Sequence, residues 1–227
     1  MPLAPDDIHA NHSHVLERIA AAAKRAGRDD TPTLVAVTKT QEPDALEAIL
    51  ATGQTVFGEN RVQEAQSHWA EHPRRDDLTL HLIGPLQSNK SRDAVALFDV
   101  IETLDRPKLA KTLASAAQEL GRLPELFVQV NTGEEPQKSG VLPDDLESFL
   151  KTVRRDYDLH PTGLMCIPPL AASTGQAAGA HFWLLRTLAE RNGLSKLSMG
   201  MSADYETAVE LGATHVRVGS GIFGPRG

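Results

Sequence analysis

An alternation of short apolar runs with longer helix-like stretches repeats along the whole chain and constrains its fold more than any other feature. The apolar runs have the length and content of buried strands. They predict eight strands, at residues 33–37, 55–57, 78–83, 100–102, 126–131, 159–166, 196–199 and 215–218. The other stretches predict helices at residues 6–26, 43–51, 62–70, 91–97, 107–120, 143–153, 177–191 and 203–211. The pattern therefore indicates the α/β class.

Strands that alternate with helices pair in parallel, either in an open doubly wound sheet or in a closed barrel. Eight units favour closure, and a barrel of this kind needs about 200 to 250 residues. The chain has 227 residues and no Pro-, Gly- or Ser-rich linker, so we expect residues 1–227 to form a single (β/α)8 TIM-barrel domain. Because only residues 219–227 follow the eighth strand, we expect no helix after it and an extra N-terminal helix in that place.

Composition excludes several classes of protein. The 23 Lys and Arg against 30 Asp and Glu give a net charge of −7, which is unlike the basic surface of a nucleic-acid binder. A single cysteine, Cys166, forbids an internal disulfide framework, and the first residues resemble no secretory leader, so we expect a cytoplasmic protein. No apolar run is long enough to cross a membrane. The chain is expected to be a monomer.

Lys39 stands at the end of the first predicted strand, and active sites of such barrels lie at the C-terminal ends of the strands. Strand alternation places Val35, Val37 and Lys39 on one face, which puts the ammonium at the barrel mouth if that face is the lumen. A partly desolvated lysine favours its neutral form, which can attack a carbonyl to form a Schiff base. An exposed lysine at the start of a loop is an equally good interpretation.

Glycines and serines follow the seventh and eighth predicted strands, in the segments 198–204 and 217–221. Backbone amides at glycines, serine hydroxyls and a helix N-terminus all bind anions, and the loops after strands seven and eight commonly hold phosphate in such barrels. Either segment alone would be weak evidence because these residues occur in most turns. Their coincidence predicts a phosphate site.

Arg217 lies on the luminal face of the eighth strand, since Val216 and Val218 occupy the other face. A buried arginine requires a partner. That partner is either a luminal carboxylate such as Glu59, in a structural salt bridge, or an acceptor atom of a ligand beside the phosphate site.

These residues belong to longer motifs that resemble the pyridoxal phosphate homeostasis protein family in order and spacing. The matching segments are 35–39, 57–64, 81–90, 163–165, 198–202 and 216–224. The resemblance implies a barrel related to the N-terminal domain of alanine racemase. It also implies pyridoxal 5′-phosphate as cofactor, held as a Schiff base on Lys39.

The resemblance also implies a role for each matching position. Ser202, Gly219 and Ser220 take the places of the phosphate ligands, and Arg217 takes that of the residue facing the pyridine nitrogen. The remaining three positions line the ring, and they are Asn60, Met165 and Met199.

The resemblance implies a carrier or reservoir in pyridoxal phosphate homeostasis, with apo forms of pyridoxal-phosphate-dependent enzymes as possible partners. A guanidinium only donates hydrogen bonds, so it leaves the pyridine nitrogen unprotonated and the cofactor a weak electron sink. We therefore expect no catalytic residue and no turnover. Two alternatives remain open: a pyridoxal-phosphate-dependent racemase or lyase, and a class I aldolase-like enzyme in which Lys39 attacks a phosphorylated sugar.

Other reactive side chains point to no further site. Tyr157 is predicted in a loop before the sixth strand and Tyr205 in the helix after the seventh, neither at an evident position for a base. Cys166 fits a buried free cysteine. His81 either faces the lumen or satisfies a core hydrogen bond. We interpret the histidines of the first helix as a solvated face and not as a metal site, and they are His9, His12 and His14.

Overall fold

The computed structural model describes residues 3–169 and 176–225, and it contains a closed barrel of eight parallel strands that follow one another in chain order. The predicted α/β barrel is confirmed. The strands are β1 (Thr33–Val37), β2 (Val56–Glu59), β3 (Thr79–Leu82), β4 (Val100–Leu104), β5 (Glu125–Val130), β6 (Gly163–Cys166), β7 (Lys196–Ser198) and β8 (His215–Val218).

Helices surround the barrel, one before the first strand, one after the last and the others between consecutive strands. They are α1 (Pro5–Arg25), α2 (Pro43–Ala51), α3 (Val62–Trp69), α4 (Ser91–Leu97), α5 (Pro107–Leu120), α6 (Leu146–Tyr157), α7 (Gln176–Arg191), α8 (Tyr205–Glu210) and α9 (Ser220–Phe223). Short 3-10 turns occupy Arg75–Asp77, Ser88–Lys90 and Pro143–Asp145. Within the described ranges, none of these helices is both long and apolar enough to cross a membrane.

The ring of helices closes through α1. This helix packs against α2, α8 and α9, so it occupies the place that a full eighth helix would take, as the sequence predicts. The prediction that no helix follows β8 is wrong, because the four-residue helix α9 begins directly after Gly219. A single turn fits into the short segment that remains there.

Several predicted element ends shift in the structure. β6 begins at Gly163 and not at residue 159, because Asp158 ends α6 in a left-handed conformation (φ 53°) and Pro161, which has no N–H to donate to a sheet, lies in between. Tyr157 is the last residue of α6, so its predicted position in a loop is wrong. β2 extends to Glu59 and β4 to Leu104, each two residues beyond its predicted end.

Side chains of each strand alternate between the helix layer and the lumen. Phe57 faces outwards and stacks on Trp69 of α3 with ring centroids 4.8 Å apart. The rings of Phe127 on β5 and His215 on β8 meet edge to face, with their centroids 5.5 Å apart. Since these strands are not neighbours, this contact crosses the lumen. Side chains of opposite strands therefore meet inside the barrel.

Candidate functional site

A cavity of about 280 Å³ opens at the C-terminal ends of the strands. Six of the eight site residues named from the sequence line it, namely Lys39, Asn60, Ser202, Arg217, Gly219 and Ser220. The rest of its lining is formed by Val37, Gln41, Ile83, Ile167, Met201, Ala203 and Gly224. Among the described residues, two cations and no carboxylate line the cavity, so its chemistry favours an anionic ligand.

Met165 and Met199 are fully buried and do not line this cavity. Met165 packs in the lumen with Val100 and Phe127. Met199 belongs to the large hydrophobic core of the protein. The predicted contact of these two residues with a bound ring therefore stays a prediction.

Lys39 follows β1 and is half-buried at the cavity wall. The preceding residue, Thr38, is fully buried and turns the other way, since its Oγ1 donates to Glu59 at 2.7 Å. The next residue, Thr40, has a left-handed backbone (φ 61°), and its amide donates to the carboxylate of Glu64. The chain on both sides of Lys39 is thus held in place, which positions the amine at the barrel mouth.

The loops after β7 and β8 are joined by a hydrogen bond. The amide of Gly221 donates to Oγ of Ser202 at 3.1 Å, and a Cβ at position 221 would lie 2.8 Å from Val218 Cγ1. Gly200 has a φ of 89°, and a Cβ there would lie 2.5 Å from that of Ala208. Both glycines thus allow a tight fold within their own segment, and the hydrogen bond between Gly221 and Ser202 joins the two segments into one wall of the cavity.

Arg217 is only 3% exposed and is held by groups of two other strands. Its Nη1 donates to Ser198 Oγ at 2.7 Å, and its Nη2 donates to the carbonyl of Cys166 at 2.8 Å. A guanidinium has five N–H donors. These bonds fix its plane and leave donors for the cavity that it lines.

The carboxylate beside Arg217 is Glu102 and not Glu59. Glu102 Oε2 lies 3.9 Å from Arg217 Nη1 and accepts a 2.6 Å hydrogen bond from Ser198. Glu59 points outwards, on the same strand face as Phe57, and there it interacts with Thr38, His68 and Trp69. Of the two partners that the sequence left open for Arg217, a luminal carboxylate is present, but Glu59 as the example is wrong because the alternation of β2 puts that side chain in the helix layer.

His81 completes a buried chain of polar groups across the lumen. Its Nδ1 lies 2.7 Å from Glu102 Oε1, so the chain runs from His81 through Glu102 and Ser198 to Arg217. Burial alone would raise the pKa of Glu102, but the hydrogen bond and charge of His81, with Arg217 and Ser198, outweigh it and lower that pKa. Sequence reasoning missed Glu102 and Ser198, although a carboxylate within an otherwise apolar strand signals a buried ionic partner.

Burial also changes the pKa of two other reactive side chains. It raises the pKa of the Cys166 thiol to about 12, which makes this cysteine a poor nucleophile. It raises the pKa of Tyr205, whose ring lies under the Arg18 guanidinium at 5.6 Å. Tyr157 lies at the end of α6, and none of the three side chains lines the cavity.

The histidines of α1 do not form a common solvated face. His12 is buried and bonds to Gln54 at 3.0 Å, and His9 bonds to the carbonyl of Ala48 at 2.9 Å. Only His14 is exposed. In the part of the chain that the structure describes, no group of three or more His, Cys, Asp or Glu side chains could hold a metal ion.

Comparison with known proteins identifies a matching family and close relatives of nearly the same length. Residues 11–227 match the family described as alanine racemase, N-terminal domain. The pyridoxal phosphate homeostasis protein of Pseudomonas aeruginosa is 41% identical over 226 residues, which cover 96% of both chains. The protein of that name from Escherichia coli K12 is 37% identical over 233 residues, which cover 97% of both chains.

A solved structure agrees with this assignment. PipY of Synechococcus elongatus, solved with pyridoxal phosphate bound, superimposes with a TM-score of 0.78 and is 41% identical over 92% of this chain and 100% of that chain. Sequence and fold thus agree along nearly the whole length. The chain belongs to the alanine racemase N-terminal domain family and, within it, to the pyridoxal phosphate homeostasis proteins.

Proposed function

We propose that this protein binds pyridoxal 5′-phosphate in the barrel-mouth cavity and acts in cofactor homeostasis as a carrier or reservoir. Pyridoxal phosphate is an aldehyde that condenses with a lysine amine and, in enzymes, stabilises carbanions. Lys39 would hold the aldehyde carbon, and Arg217 would face the ring nitrogen. The phosphate would lie against Ser202, Gly219 and Ser220.

The observation that carries this proposal is the convergence of these groups on one cavity of about 280 Å³. An amine, a buried guanidinium and two hydroxyls, with no carboxylate in the part of the chain that the structure describes, match the aldehyde, the ring acceptor and the phosphate of one ligand. The solved relative with pyridoxal phosphate bound supports the same assignment. Asn60 lines the cavity and is suited to contact the ring.

Two features of the cavity support binding without turnover. Arg217 is a permanent donor fixed by Ser198 and by the Cys166 carbonyl, so it can donate a hydrogen bond to the ring nitrogen but does not transfer its proton to it. Within the described residues, the lining contains no Asp, Glu, His, Tyr or Cys, so Lys39 is the one side chain there that is suited to act as a base. We therefore propose a cytoplasmic protein that delivers the cofactor to apo-enzymes and does not itself catalyse.

Reductive trapping tests the covalent link. Borohydride treatment of the protein with pyridoxal phosphate should fix the ligand on Lys39, as mapped by peptide mass spectrometry. Lys39→Ala should abolish the absorption band of the bound cofactor and leave the circular dichroism unchanged. The matched control, Lys151→Ala, removes an exposed lysine on α6 and should behave like the wild type.

An adduct on a different lysine would refute the assignment. A colourless protein that instead traps a phosphorylated ketose or aldose on Lys39 would favour the aldolase-like alternative.

A further inference from the structure

A second cleft lies beside the cofactor cavity at the barrel mouth. It has a volume of about 750 Å³ and is formed by the segments that follow β2, β3 and β4, with Ser139 from the segment after β5. Asn60 lines both spaces, so the cleft and the cavity share a wall. We call this space the cationic cleft, after the three cationic side chains in its lining, Arg61, Lys90 and Arg106.

The charge of the cleft is opposite to that of the whole protein. The chain carries a net charge of −7, yet no Asp or Glu lines the cleft within the described residues. Lys90 lies 3.5 Å from Asp93 and Arg106 lies 2.5 Å from Asp105, so two of the three cations have counter-ions nearby. For Arg61, the described part of the chain shows no ion pair, so its charge is left uncompensated at the cleft wall.

The cleft is also held in shape. Arg106 Nη2 donates to the carbonyl of Leu86 at 2.8 Å, which fixes the guanidinium against the segment after β3. A Cβ at Gly84 would lie 2.2 Å from the carbonyl oxygen of Asn60, so the segments after β2 and β3 meet in a contact that only glycine permits. The backbone that carries Arg61 is therefore held against the segment after β3, and the guanidinium of Arg106 is held on that same segment.

We propose that the cationic cleft binds a phosphate monoester noncovalently, as a second ligand site separate from Lys39. A doubly charged phosphate would compensate Arg61 and would accept hydrogen bonds from Lys90 and from the amide side chains of Gln63 and Gln87, which also line the cleft. Its volume lies within the range of about 300 to 1,000 Å³ typical of small-molecule sites. This proposal does not depend on the cofactor assignment, because it uses none of the groups proposed to hold pyridoxal phosphate except the shared Asn60.

Calorimetric titration with phenyl phosphate tests the site on two forms of the full-length protein. One form is ligand-free, and the other has been incubated with pyridoxal phosphate and reduced with borohydride, which blocks the first cavity if the cofactor assignment is right. Both forms should bind phenyl phosphate. The double variant Arg61→Gln/Lys90→Gln should bind it at least tenfold more weakly, since each lost hydrogen bond involves a charged group.

The control removes the same two residue types from the exposed face of α6, as Lys151→Gln/Arg155→Gln, and should bind like the wild type. If the double variant fails to fold, Arg61→Gln alone keeps the test valid, because this side chain is exposed. Tighter binding of phenyl phosphate than of inorganic phosphate assigns the cleft to an organic monoester, and equal binding assigns it to free phosphate.

Three results would overturn the proposal. They are equal affinity in the cleft variant and its control, binding that disappears from the cofactor-blocked protein, and equal binding of phenol, which lacks the phosphate. Failure of the cofactor assignment leaves the ligand-free titration intact, so the two proposals are tested separately.

Discussion

Ser202 and Ser220 supply the two hydroxyls of the cavity, on the loops after β7 and β8. The two side chains are not equivalent. Ser202 Oγ also accepts the amide hydrogen bond of Gly221 at 3.1 Å and so joins the two loops, whereas Ser220 is exposed at the start of α9. The first serine therefore shapes the phosphate site as well as contributing a donor to it.

Replacing either serine by alanine should weaken cofactor binding roughly tenfold or more, because a hydrogen bond to a charged group contributes about 1.5 to 3 kcal/mol. Ser202→Ala should have the larger effect, since it also frees the Gly221 amide. Equilibrium titration of pyridoxal phosphate absorbance measures both. Ser115→Ala, which changes an exposed serine on α5, is the control, and unchanged affinity in both site variants would place the phosphate elsewhere.

For single residues, six of the eight predicted from the sequence line the cavity, but the sequence does not predict which carboxylate lies beside Arg217. Alternation along β8 places Arg217 inside the barrel, but β1 is apolar on both faces, so the residues alone leave an exposed Lys39 as an equally good interpretation. The partner of Arg217 could not be chosen in the same way. Glu59 and Glu102 both lie in buried strands, and only the pleat of each strand in the closed barrel decides which one faces the lumen.

The buried polar chain belongs to the scale of whole elements, since it joins four strands. His81 lies on β3, Glu102 on β4, Ser198 on β7 and Arg217 on β8, and all four side chains are buried. Glu102 makes contacts with the other three. It therefore holds the guanidinium orientation that the cavity requires.

Removing this charge should destabilise the barrel. Glu102→Gln leaves Arg217 without its buried counter-charge, and loss of one partner of a buried pair costs about 3 to 5 kcal/mol. Urea unfolding at pH 7 measures the free energy of unfolding. Glu119→Gln, which breaks the exposed pair with Arg92, is the control and should leave that free energy nearly unchanged.

The effect should also depend on pH. The pKa of Glu102 in the folded protein lies below its ordinary value of 4.5, so its stabilising contribution is present above pH 4.5 and is lost as the pH falls through the folded value. The difference in the free energy of unfolding between wild type and Glu102→Gln should therefore shrink as the pH falls through that range. A difference as small as that of the Glu119 control at pH 7 would show that the network is not a stabilising ion cluster.

Elements with clear end signals are predicted well. Proline at the first turn and glycine after the last one identify α5 at its observed bounds, Pro107–Leu120, with Gly121 in the left-handed conformation. Ends without such signals shift, as at β6, where apolar residues before Gly163 lie in a loop. The helix α9 has only four residues, so its sequence is too short to show a helical periodicity. In the structure it packs against α1.

At the scale of the whole molecule, the barrel separates two kinds of surface. The chain is acidic overall, yet the cofactor cavity and the cationic cleft are both lined by cations and amides and by no carboxylate within the described residues. The positive potential in these two spaces attracts small anions. The negative net charge of the whole protein repels polyanions such as nucleic acids. The electrostatics of the whole molecule are thus consistent with a small phosphorylated ligand.

The central claim is that the protein binds pyridoxal phosphate on Lys39 without turning over amino acids. Its most direct test is an assay of wild-type protein that has first been loaded to one cofactor per chain, as measured by absorbance. L- and D-forms of alanine and serine are incubated at high protein concentration and analysed by chiral chromatography. We predict no enantiomer formation above a cofactor-only control. Turnover at about 1 per second or faster, the range of typical enzymes, would contradict the claim and assign the cavity to a racemase.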